Sequence, residues 1–132
     1  MGAHDVHTAG NAIPPLDDDL EVLFEDLASV HDAGVDQILS GLRHIALTRH
    51  TPDRTQTLTA VLAGGSDGLH IVALIGQIIA RLSNPDTNPS LRTLPFDLQK
   101  EAQLRGETTA FVLASDQLAA FASDTAASID GI

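Results

Sequence analysis

The chain has no cysteine, tryptophan or tyrosine, and only one lysine and one methionine among its 132 residues. Without cysteine there is no disulfide, no thiolate nucleophile and no cysteine-ligated zinc. Aromatic residues are reduced to Phe24, Phe96, Phe111 and Phe121, so any core must be aliphatic. Positive charge is scarce as well. Six Arg and one Lys face 14 Asp and four Glu, for a formal net charge of −11. Such a surface repels nucleic acid and anionic membrane, so no direct partner of either kind is expected. Long apolar runs are missing too. The longest spans about 14 residues with interruptions, short of the ~20 needed to cross a bilayer. The N-terminal MGAHDVHTAGNAIPP has neither a basic nor an apolar signal region, and Val6 stands where a myristoylation motif needs Ser or Thr. The expected location is cytoplasmic or within a larger assembly.

Hydrophobic residues make up 43% of the chain, enough for a folded domain rather than global disorder. Residues 1–15 read as an extended arm closed by Pro14-Pro15, and 16–132 as a single helical domain. The expected fold class is all-α, a four- to five-helix bundle with a central apolar helix at about 67–83 and a long C-terminal helix.

The first helix starts within Leu16–Glu21. There Asp17, Asp18 and Asp19 complement the helix dipole, and Asp18 and Glu21 have capping-box spacing. Apolar residues then recur at Leu20, Leu23, Phe24, Leu27, Val30, Val35, Ile38, Leu42 and Ile45, which is helical periodicity that could run to Arg49. Ala33-Gly34 is the expected point of division, and Gly34 and Gly41 fall on one face. A short second helix has Thr51 as N-cap and Pro52 at its first position, and ends at Gly64-Gly65. The third, capped by Asp67, is DGLHIVALIGQIIARL, apolar on nearly every face. Such a helix must be buried all round, by its own bundle or by another subunit. Aspartate at Ile75 or Ile78 would then cost several kcal/mol. Residues 84–94 form a loop, and Pro95 opens a long helix to about 129 with an irregularity expected at Gly106.

The sequence carries no recognisable catalytic or metal-binding signature. Di-metal carboxylate bundles use Glu-x-x-His, whereas Glu21, Glu25, Glu101 and Glu107 are followed three residues on by Phe24, Ala28, Leu104 and Ala110. His4, His7, His31, His44, His50 and His70 include no i, i+4 pair and no His-Glu-x-x-His. Removal of Met1 would create Gly2-Ala3-His4, a square-planar nitrogen set suited to Cu(II) or Ni(II), but Met1 is present. The Gly64–Gly68 turn lacks the strand and the Lys-Ser/Thr of a phosphate loop, and Asp67 would repel phosphate. No Gly-x-Ser-x-Gly or Ser-x-x-Lys occurs. Neither catalytic residues nor a cofactor is expected.

Cations concentrate at Arg43, His44, Arg49, His50 and Arg54. They are candidates for a contact with an acidic patch of a sister subunit or for a small anion; the alternative is ordinary cation placement near a helix C-terminus. The sequence therefore favours a non-catalytic protein-interaction or assembly subunit, part of a larger complex or virion, with protein partners and self-association. One alternative is an acidic decoy for a nucleic-acid-binding protein. The other is a small ligand-binding or enzymatic bundle using His31, His44 or His70 with an Asp.

Overall fold

The computed structural model describes residues 13–129, and among them the chain is all-α, with no strand. Ile13–Asp17 has no regular structure, and the rest of the expected arm, 1–12, lies outside the described residues. Contacts divide the chain into two compact units, Met1–Arg49 and His50–Ile132.

The first unit is a helical hairpin of α1 (Asp18–Ala28) and α2 (Ala33–Leu47). Asp17 caps α1, its Oδ2 accepting from the Leu20 N–H at 3.3 Å, so the cap lies one residue before the Asp18 of the expected capping box. The periodic segment divides at Ser29–Asp32, ahead of Ala33-Gly34. His31 takes φ 58° in that turn, and Asp32 restarts the helix by accepting from the Val35 N–H at 2.9 Å. A carboxylate cap so close to a left-handed residue ends one helix and nucleates the next without glycine. Among the described residues of this unit, only Phe24 is buried.

The second unit comprises α3 (Pro52–Thr59), α4 (Ile71–Leu82), α5 (Phe96–Leu113) and α6 (Asp116–Ile129). Thr51 caps α3 with Pro52 at its start, as the sequence indicates. A π-turn, Ala60–Gly64, widens the end of that helix before Gly65 stops it. It lies close to α6: a Cβ on Gly64 would sit 2.8 Å from the Ser123 backbone nitrogen. The cap of α4 is a correction. Asp67 lies in a left-handed turn at φ 56°, and His70 is the N-cap, its Nδ1 accepting from the Ala73 N–H at 3.2 Å. Any imidazole serving this way carries its proton on Nε2, which here is buried without a partner.

The central apolar helix and the long C-terminal helix are both present. The latter is α5, 18 residues, followed by α6. The break between them is not at Gly106, which lies inside α5, buried. It falls at Ala114–Ser115, where the Ser115 Oγ accepts from the Leu118 N–H at 3.4 Å. Gly106 instead serves packing. A Cβ there would lie 2.6 Å from the Ser83 Cβ and 3.3 Å from the Ala80 Cα; one on Gly76 would lie 3.0 Å from the Ala110 Cα. Helices α4 and α5 thus meet along Gly76, Ala80, Gly106 and Ala110, small residues that let the two backbones approach closely.

Candidate interaction surface

Helix α4 turns its small side chains inward and its large ones outward. Ala73 and Gly76 are buried, and Ala80 is half-buried. At 100° per residue these three share one face, and Ile71, Leu74, Ile75, Ile78 and Leu82 share the opposite one. Leu74 is 58% exposed, Ile75 44%, Ile78 48% and Leu82 59%. The expectation that Ile75 and Ile78 are enclosed is therefore corrected for the single chain. The alternative that the same reasoning allowed, cover from another subunit, is left open by this geometry. The ridge is also nearly uncharged. No Asp or Glu lies between Asp67 and Asp86, and Arg81 is the one charged side chain of α4, at the ridge's edge beside Gln77.

Four exposed aliphatic side chains amount to on the order of 400 Å² per copy, within the ~300–600 Å² of the largest apolar patch on a typical monomer, a patch that is often functional. Leu69, 78% exposed just before His70, extends the same end of the unit. His70 stiffens that end, because its Nδ1 satisfies one of the N–H groups that begin α4.

The hairpin carries a second apolar surface. Leu20, Leu23, Phe24 and Leu27 of α1 and Leu39, Leu42 and Ala46 of α2 line a groove of about 230 Å³. Phe24 forms its floor. Arg43 lies over the Phe24 ring at 4.6 Å and donates to the Glu21 Oε1 at 2.8 Å. That hydrogen bond is the main cause that raises the Arg43 pKa above its ordinary value.

The five candidate cations do not make one site within either unit. Arg43 is engaged with Glu21 and Phe24. His44, exposed, lies 3.4 Å from the Thr48 Oγ1, whose hydroxyl donates to the His44 carbonyl at 2.6 Å. Arg49 ends the first unit and His50 begins the second. Arg54 is exposed in the first turn of α3, where its backbone N–H donates to the Thr51 Oγ1 at 3.1 Å. Their closeness in sequence thus straddles the boundary between two bodies. Among the other histidines, His31 is an exposed turn residue and His70 is a helix cap. Among the described residues, no group of three His, Asp or Glu side chains is placed to hold a metal ion, and no helix is long and apolar enough to cross a membrane. The Gly2-Ala3-His4 nitrogen set lies outside them.

Reasoning from the sequence singled out α4 but missed that its exposed face is the candidate site. The signal was available. Small residues recur at Ala73, Gly76 and Ala80, large ones at Ile71, Leu74, Ile75, Ile78 and Leu82, on opposite sides of one helical wheel. Comparison with known proteins finds no matching family model, no matching curated protein and no matching solved structure.

Proposed function

We propose that this protein is a non-catalytic assembly subunit that associates with itself through the α4 ridge. The observation that carries the reading is the exposure of Leu74, Ile75, Ile78 and Leu82 on the side of α4 opposite its packed face. Removing apolar surface from water contributes about 25 cal/mol per Å², and a two-fold axis would present the same ridge to itself. Charge favours this face above others. Two copies of a chain with net charge −11 repel each other, and α4 lies in the longest stretch without Asp or Glu, between Asp67 and Asp86, so copies touching there bring few carboxylates together. The buried total, on the order of 800 Å² from the ridges alone, lies below the ~1,200–2,000 Å² of a standard interface. The self-association expected is therefore weak and reversible.

Sedimentation of the full chain over a concentration series tests this. A mass rising toward twice that of one chain, and held at one chain by Ile78→Asp, supports the assignment. A parent that stays monomeric at about 1 mM removes it, because a Kd weaker than that corresponds to under ~4 kcal/mol of association.

A further inference from the structure

A different surface points to a different kind of partner. We infer that the α1–α2 hairpin is a receptor groove for a basic amphipathic helix supplied by another protein, an inference independent of the α4 self-association.

The groove has the apolar lining of a helix-binding cleft. Leu23 is 54% exposed, Leu27 44% and Leu42 37%, around a Phe24 that is only 8% exposed. Two antiparallel helices leave a furrow along their line of contact, and a third helix fills it with apolar side chains spaced i, i+3/i+4 and i+7. The floor is fixed from behind, because Arg43 stacks on the Phe24 ring and is held by Glu21. A preset floor lowers the ordering cost of binding.

Charge selects the occupant. Residues 18–47 hold seven carboxylates and one arginine, and that arginine is paired with Glu21. Asp19 and Asp26 lie four and three residues from Leu23, so they neighbour it along the outer edge of α1. Two copies of this hairpin meeting face to face would bring those carboxylates together at short range, where salt screens them least. A helix with leucines along one stripe and lysines or arginines beside it satisfies both the groove and its rim. It would also associate faster at low salt.

The test is fluorescence anisotropy of the full chain with three labelled peptides of about 18 residues, long enough to form a marginal helix in water. The first contains Leu and Lys with Leu at helical spacing, the second is a scramble of the same composition, and the third has Glu in place of Lys. The patterned Leu/Lys helix should bind at least about tenfold more tightly than either control, a difference of ~1.4 kcal/mol. Leu27→Lys should weaken it by a similar factor. The double change Asp19→Lys with Asp26→Lys, on exposed positions that leave the packing alone, should weaken it as well. Ile78→Asp should leave peptide binding unchanged, which separates this surface from the α4 ridge. Equal affinity for the patterned and scrambled peptides would reduce the effect to bulk charge and overturn the inference. So would loss of self-association in Leu27→Lys without peptide binding by the parent, which would make a second copy the occupant. A monomeric parent that binds no peptide would overturn it too, leaving the groove with no helix to receive.

Discussion

The hairpin and the C-terminal unit both leave large aliphatic side chains in water, but in opposite shapes and opposite electrostatic settings. In the hairpin they line a concave groove with carboxylates along its rim. On α4 they form a convex ridge with almost no charge. The origin of the difference lies in what each element packs with. Helix α4 gives its small residues to a close contact with α5, so everything bulky must point elsewhere. In α1 and α2 the large residues point toward each other, yet two helices alone enclose only Phe24. Curvature and charge separate the two proposed partners, like with like on the ridge and basic with acidic in the groove.

The comparison breaks first at the α4–α5 seam, which is what forces the ridge outward. Gly76→Leu would drive a branched side chain into the Ala110 backbone. Overpacking of this kind costs roughly 1–3 kcal/mol and sometimes more, and the loss should appear as a large fall in Tm. Leu74→Ser, on the other side of the same helix, should lower association while moving the Tm of the dilute chain far less. Similar Tm losses from the two changes would mean that both faces are enclosed.

Phe24→Ala is expected to have the next largest effect. It empties the hairpin's buried position at a cost of about 3 kcal/mol, read as faster amide exchange across α1 and α2. The cap of α4 follows. His70→Ala removes the acceptor for the Ala73 N–H and should cost ~1 kcal/mol, whereas His70→Asn should retain or exceed the parent's Tm. A smaller gain is expected from His31→Gly, because glycine adopts φ 58° without a Cβ penalty; its greater freedom in the unfolded chain offsets part of this, leaving about 0.5 kcal/mol at most. The smallest effect concerns the cation island. If the uncharged ridge is the self-contact, Arg49→Gln with Arg54→Gln should leave the sedimentation isotherm unchanged, and added salt should not weaken association. A marked loss in either experiment would return the contact to the island.

Helical content was legible because it is a local matter. The spacing of Leu20, Leu23, Phe24 and Leu27, the Thr51-Pro52 start and the Gly64-Gly65 stop each act within a turn or two of chain. The displaced boundaries were not legible to the same degree. Asp67 and His70 are both able to accept from a helix N–H, and the choice between them depends on the left-handed turn at Asp67, which the packing of neighbouring segments must support. Gly106 read as a weak point because glycine lowers helix propensity. In the folded unit the same missing side chain makes room for Ser83, and the helix continues through it.

The amino-acid sequence by itself determined an all-α chain without thiol chemistry, an acidic surface with one nearly uncharged helix, and the division of that helix into a small-residue stripe and a large-residue stripe. All follow from composition and from the 3.6-residue period, which need no knowledge of distant contacts. Which stripe of α4 faces inward was decided only by tertiary structure. Both are apolar, and burial by area alone would favour the large one, since each enclosed Leu or Ile contributes roughly 1.5–3 kcal/mol. The close approach of α5 through Gly106 and Ala110 admits only the small one, and that steric choice leaves Leu74, Ile75, Ile78 and Leu82 exposed.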